Sequence, residues 1–304
     1  MLAITGANGH LGQRLLARLA PSGTVRALVR SERAAGQVRG LGHGDAVDVR
    51  VVDYADADAL TRGLEGCSGV VHLVGIIKET ARNPYFEAHE AACRALARAA
   101  GSAGVGRMVY LSIVGSRPDS ANACLASKGA AEQILAEGPV ATTVIRVPMV
   151  LGEGDYAAAA LGGRARRGWN VVLRGSSLEQ PIYAGDVVDA VIAALEAPPG
   201  APAAAPELDL AGPESLSRTA LTHRAAARFG RRTRVISLPL ALGMGLAFLF
   251  EKLSAEPPVT RAMLGVLDHD DRIDPGAATA ALGITLTPLD ETLGRCLTGS
   301  GDAP

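Results

Sequence analysis

Short apolar runs alternate with amphipathic stretches through the first 150 residues. Leu2–Thr5, Val25–Val29, Val49–Val52, Val70–Val74, Met108–Leu111 and Thr142–Arg146 are brief and rich in branched residues, and they predict strands. Between them, His10–Leu19, Tyr85–Ala100 and Ala123–Leu135 carry apolar residues at helical spacing. Strands separated by helices of this length predict parallel βαβ units, and hence an α/β fold with a doubly wound, Rossmann-type sheet. Residues 1–150, with a return segment over 184–200 that holds a helix at Asp186–Leu195, form the expected core. Residues 151–183 and 201–304 form a smaller lobe. In that lobe the pattern predicts a helix over Ser217–Phe229 and strands at Leu208–Leu210 and Arg234–Ser237. Gly162–Gly168 reads as an arginine- and glycine-rich surface segment, and Ala197–Pro206, rich in Ala and Pro, as a loop or hinge.

One apolar run stands apart. Leu238–Phe250 follows Arg231, Arg232 and Arg234. It is shorter than the roughly 18 residues that argue for a membrane-spanning helix. Burial within the small lobe is the preferred reading. Contact with an anionic membrane surface, or docking on a protein partner, is the alternative.

Composition changes this picture little. With 304 residues, 48% of them apolar, a sizeable core can form, and a formal net charge of −1 argues against nucleic acid as a partner. The four cysteines, Cys67, Cys93, Cys124 and Cys296, are scattered, so neither a metal site nor a disulfide framework is expected. A first strand starting at Leu2 leaves no room for a leader. A cytoplasmic protein is expected, at most peripheral to the inner face of a membrane. The chain has only three lysines, Lys78, Lys128 and Lys252, which makes Lys128 conspicuous.

The candidate chemistry begins at Thr5-Gly6-Ala7-Asn8-Gly9-His10-Leu11-Gly12. Gly6 permits a tight turn after the first strand, Gly9 allows close approach of a pyrophosphate, and Gly12 lets the helix pack on the strand. The helix N-terminus then faces the phosphates. The second strand ends in Arg30, where an acidic residue would select NAD(H). An arginine there can pair with a 2′-phosphate, so NADP(H) is favoured and NAD(H) is the alternative. The competing reading makes Arg26, Arg30 and Arg33 a set of solvated surface arginines. Asp53 follows the third strand at an adenine-contacting position, and Leu73, Val74 and Gly75 follow the fourth, where backbone lines the cofactor.

Ser112, at the end of an apolar strand, and Lys128, in Cys124-Leu125-Ala126-Ser127-Lys128, complete an arrangement that resembles the short-chain dehydrogenase/reductase superfamily. The stretches Val70–Ile77, Phe86–His89, Arg146–Gly152 and Gln180–Val187 are similar to the branch that holds the accessory subunit of respiratory complex I and the NmrA-like proteins. The resemblance implies an NADP(H)-binding Rossmann core, with Val147 and Pro148 added to the cofactor contacts. It implies an oxidoreductase or isomerase acting on a small carbonyl, alcohol or quinone-like substrate, or a catalytically silent structural, assembly or redox-sensing protein. In the superfamily a tyrosine four residues before the lysine exchanges a proton with the substrate, the lysine lowers its pKa and holds the nicotinamide ribose, and the serine binds the substrate oxygen.

Here Cys124 stands in the tyrosine's place. Three readings follow: the donor is lost; Tyr156, Tyr183, His89 or a water replaces it; or the thiol acts, made thiolate-like by Lys128. A fourth makes Cys124 a small, half-buried apolar residue. A lost donor with a packed cysteine is preferred, then a substitute, then an acting thiol. His72, inside an apolar strand, is expected to be a core histidine. The packing reading is preferred for His89.

Overall fold

The computed structural model describes residues 1–198, 201–202, 205–254, 257–266 and 268–298. The chain opens with β1 (Leu2–Thr5), α1 (His10–Leu19), β2 (Val25–Val29), α2 (Glu32–Arg39), β3 (Val47–Val51), α3 (Ala57–Leu64) and β4 (Gly69–His72). A π-helical turn, Phe86–Ala91, leads into α4 (Ala92–Ser102). Then come β5 (Arg107–Ile113), α5 (Ala123–Ala136), β6 (Thr142–Val147), β7 (Val150–Leu151), α6 (Tyr156–Ala165), β8 (Trp169–Leu173), β9 (Leu178–Glu179) and β10 (Ile182–Tyr183). The remainder is α7 (Ala184–Glu196), β11 (Glu207–Asp209), β12 (Leu216–Ser217), α8 (Arg218–Ala227), β13 (Arg234–Leu238), α9 (Leu240–Leu253), α10 (Arg261–Val266), α11 (Gly276–Leu282) and α12 (Leu289–Thr298).

Seven strands form one sheet in the order β11-β6-β5-β4-β1-β2-β3. The registers of β1 with β2 and β4, of β2 with β3, and of β4 with β5 are parallel. This is the doubly wound α/β fold, and the order reverses between β1 and β4, where such sheets open a ligand crevice at their carboxyl ends. Strands covered on both faces must be nearly continuous in apolar residues. β2 meets that demand with one exception. Arg26 is buried, lies in register with Asp48 on β3, and pairs with it at 2.8 Å. Its Nη1 donates to the carbonyls of Gly63 and Glu65 at 3.0 and 2.7 Å. The solvated reading of Arg26 is therefore corrected: its charge is paired and its Nε and Nη1 donors are engaged.

Two compact units result. One comprises Met1–Arg146, Val188–Leu208 and Ala281–Gly283; the other comprises Val147–Val187, Asp209–Ala280 and Ile284–Pro304. The first has a core built from Leu28, Leu60, Leu64, Leu96, Met108 and Leu135. The second has its own, built from Leu151, Leu161, Leu221, Leu293 and Leu297. Of the expected hinge 197–206, residues 199, 200, 203 and 204 lie outside the described residues.

Three expectations change. The segment 162–168 is not all surface: Gly162 and Ala165 belong to α6, and both are buried. The long helix expected over Tyr85–Ala100 is interrupted, since its first turn is π-helical. Burial of Leu238–Phe250 is overturned. Within α9 only Ala247 is buried, while Leu242, Leu246, Phe248, Leu249 and Leu253 are exposed.

Candidate functional site

The glycine loop is built as the sequence demands. Gly6 sits at φ +70°, and a Cβ there would lie 3.3 Å from the backbone of Leu73, so the loop after β1 touches the end of β4. A Cβ on Gly12 would stand 2.6 Å from the Gly6 carbonyl oxygen and 2.7 Å from the Ala7 Cα. No side chain fits there. Gly9 differs, because its Cβ would meet only the Gly6 carbonyl oxygen, at 3.3 Å. The space beyond Gly9 is therefore open, kept free of a side chain by the residue there and not by packing.

Helix capping marks the same place. Ser31 caps α2, Asp56 caps α3 and Asn122 caps α5, each with a side-chain oxygen on backbone N–H groups. At α1 the cap residue is Gly9, which supplies no such oxygen, and no acid lies in the first turn. Its N–H groups and positive dipole end are left for an anion. Tyr54, which sequence reasoning missed, ties the loop down. Its hydroxyl accepts from the Gly6 N–H at 2.9 Å and donates to the Leu28 carbonyl at 2.6 Å. Burial pushes its pKa up to about 12. Thr5, expected to contact cofactor, has a buried side chain, with Oγ1 2.6 Å from His72 Nδ1. Asn8 bonds Gln37 and accepts from Gln13 through its carbonyl, while His10 is exposed and Leu11 is half-buried.

Behind Gly75 lies a second cluster. Lys128 is only 4% exposed. Its ammonium donates to Tyr110 Oη at 2.8 Å and to the Leu111 carbonyl at 3.0 Å. Burial lowers its pKa to about 8. A Cβ on Gly75 would reach 3.2 Å from Lys128 Nζ and 3.7 Å from His89 Nε2, so the lysine and this histidine meet beneath that glycine. His89 Nε2 accepts from the Ile76 N–H at 3.0 Å, which places the ring proton on Nδ1. His72 stacks on Tyr110 with ring centroids 5.5 Å apart. Burial holds both histidines neutral, each lowered to about 3. Tyr110 was missed by sequence reasoning, although strand alternation puts it on the same face of β5 as Ser112.

Cys124 is fully buried, with Sγ 3.4 Å from the Ile76 carbonyl oxygen that it donates to. Burial pushes its thiol up to about 11, against a smaller opposing pull from Lys128. Tyr85, also missed, is its side-chain neighbour, stacks on His89 and donates to the Ile77 carbonyl at 2.6 Å. Ser112 is buried, and its hydroxyl donates to Ser116 Oγ at 3.4 Å.

Arg30 is exposed at the end of β2 and donates to Asn83 Oδ1 at 3.4 Å. Asp53 is exposed, with Oδ1 accepting from the Ala55 N–H. Val147 and Pro148 begin the second unit. Tyr156 and Tyr183 also belong to that unit, the first 86% exposed and the second donating to Glu153 at 2.7 Å.

The glycine cradle, the uncapped α1 and the exposed Arg30 fit a dinucleotide on three counts: space, unpaired donors and charge. Gly6, Gly9 and Gly12 would admit its pyrophosphate, and Leu73–Gly75 would flank it.

Comparison with known proteins agrees. A model of an NAD(P)H-binding family matches residues 6–198. A ceramide reductase of Caulobacter vibrioides is 32% identical over 168 residues, 55% of this chain and 51% of its own. Subunit 9 of the NADH dehydrogenase [ubiquinone] 1 alpha subcomplex of Arabidopsis thaliana is 26% identical over 64% of this chain and 49% of its own. A (4-alkanoyl-5-oxo-2,5-dihydrofuran-3-yl)methyl phosphate reductase of Streptomyces griseus is 28% identical over 87% of this chain and 85% of its own. The chain thus spans about half the length of the first two of these relatives. The NADPH complex of an Escherichia coli NADPH-dependent quinone oxidoreductase superposes with a TM-score of 0.72 at 20% identity, covering 96% of this chain and 98% of the other.

Proposed function

The chain belongs to the NAD(P)H-binding family, and on that premise we propose that it is an NADPH-dependent reductase of quinone-like or conjugated carbonyl acceptors. The observation that carries this reading is the enclosure of Cys124. When bound, the nicotinamide supplies a hydride. The protein must then deal with the proton. A simple ketone becomes an alkoxide and needs a positioned acid as it forms. Cys124 offers none: it is fully buried, its thiol is raised to about 11, and it is committed to the Ile76 carbonyl. A quinone instead becomes a phenolate-type anion, whose conjugate acid lies near the tyrosine value of about 10. Water can protonate such a product without a tyrosine at position 124. The reductase names among the relatives support the class of reaction. The relative that spans most of the chain acts, by name, on an oxo-dihydrofuran bearing an alkanoyl group, a conjugated carbonyl.

Arg30 supports NADPH over NADH. It is exposed beyond β2, its hydrogen bond to Asn83 is a long one, and a 2′-phosphate would offer a stronger, charge-assisted partner.

A second reading rests on the same enclosure. Lys128 and Cys124 are both buried and both engaged, which also suits a silent protein that keeps NADPH for structure or sensing. An acceptor panel separates the two. NADPH consumption is followed with menadione, an acylated butenolide and a simple aryl ketone. The reductase reading expects turnover of the first two and none of the third. Turnover of the ketone overturns the acceptor class, and silence with all three leaves the second reading.

A further inference from the structure

We propose that the second unit carries a docking surface for an anionic bilayer, made by α9 and the outer face of the β8–β13 strand pair. In α9, Leu242, Leu246, Leu249 and Leu253 follow at intervals of four, three and four residues, so they share one helix face, and all four are exposed. Globular helices bury such a stripe. The strand pair adds to it. Trp169 and Val171 on β8 lie in register with Arg234 and Ile236 on β13, and all four are exposed. α9 follows β13 directly and abuts the end of β8, since a Cβ on Gly243 would strike the side chain of Leu173.

The charge of the surround names the occupant. The whole chain carries 30 basic and 31 acidic residues. Segments 164–173 and 231–253 together carry seven arginines and lysines and one acid, Glu251. Arg167, Arg231, Arg232, Arg234 and Lys252 are exposed among them. Arg164, Arg167 and Trp169 also line a cavity of about 690 Å³. An exposed apolar stripe, basic flanking segments and an exposed indole match the acyl–headgroup boundary of a membrane rich in acidic lipid. A second copy fits less well. A two-fold contact would set this basic border against itself, and the stripe is far shorter than the three to four heptads that make a coiled coil from sequence. No helix among the described residues is long and apolar enough to span a bilayer, so attachment would be peripheral.

The test uses a built-in probe, because Trp169 is the chain's one tryptophan and is 65% exposed. Wild type, Leu246→Asp/Leu249→Asp and Arg231→Gln/Arg232→Gln/Arg234→Gln are mixed with vesicles of phosphatidylcholine alone or rich in phosphatidylglycerol. Thermal melts verify that each variant is folded. With phosphatidylglycerol, wild-type emission should shift to the blue and the protein should sediment with the vesicles, with release in high salt. Each variant should bind at least tenfold more weakly. No binding by wild type, equal binding to both vesicles, or unchanged binding by folded variants would overturn the proposal. So would a concentration-dependent dimer that shields Trp169 without vesicles, since the occupant would then be a second copy.

Discussion

Lys128 donates to the phenolic oxygen of Tyr110 at 2.8 Å, and its ammonium stands 4.3 Å from the centroid of the same ring. One tyrosine thus provides both a hydrogen-bond acceptor and a π face to a buried cation. Burial lowers the pKa of this lysine, against a smaller opposing pull from Cys93, Cys124 and Glu132, so holding its charge near neutral pH has a cost set by burial.

That cost has a pH signature. The folded-state pKa of Lys128 is lowered to about 8 from 10.5, chiefly by burial. Below about 8 both states hold the proton and the penalty is fully present. Between 8 and 10.5 the unfolded chain holds the proton and the folded one releases it, so this group's contribution to stability rises with pH. Unfolding of wild type and Lys128→Met, compared across that window, should show wild type gaining on the variant by up to on the order of 3 kcal/mol. A difference that is flat with pH would mean that the lysine is solvated.

The glycines of the loop should separate packing from binding. Gly12→Ala places a Cβ against the backbone of Gly6 and Ala7, and overpacking of this kind costs about 1–3 kcal/mol, so the melting temperature should fall. Gly9→Val meets far less protein and should keep its melting temperature while losing NADPH. Calorimetric titration and a thermal melt on each variant decide the matter.

Arg30 should discriminate between cofactors. Loss of a charge-assisted phosphate contact costs about 1.5–3 kcal/mol, so Arg30→Ala should weaken NADPH by roughly ten- to a hundredfold and leave NADH unchanged. Equal affinity of wild type for both cofactors in a calorimetric titration would remove the basis for the NADPH assignment.

Much of this was legible because local rules and tertiary packing agree. β1, β2 and α1 match their predicted limits because an apolar run, a glycine loop and helical spacing coincide there. α2 and α3 escaped the pattern, being eight residues each, too short for the apolar spacing to stand out, with starts set by the caps Ser31 and Asp56. Tyr54, Tyr85 and Tyr110 were missed for a different reason. Their roles are contacts across the fold, to Gly6, Cys124 and Lys128, and apart from the alternation that sets Tyr110 beside Ser112 no spacing along the chain announces them. Cys124 was visible as a departure from the superfamily pattern, but its burial against Ile76 depends on where the loop after β4 settles.

On the proposed function, NADPH-dependent reduction proceeds without a proton donor at position 124. The direct measurement is the rate of NADPH oxidation by menadione in wild type, Cys124→Ala and Gly9→Val, with thermal melts as controls for folding. Cys124→Ala should retain the wild-type rate to within about threefold, less than the 10²–10⁴-fold that an acting acid contributes, while Gly9→Val should lose it. A collapse of the rate in folded Cys124→Ala that still binds NADPH would make the thiol catalytic and overturn the proposed function.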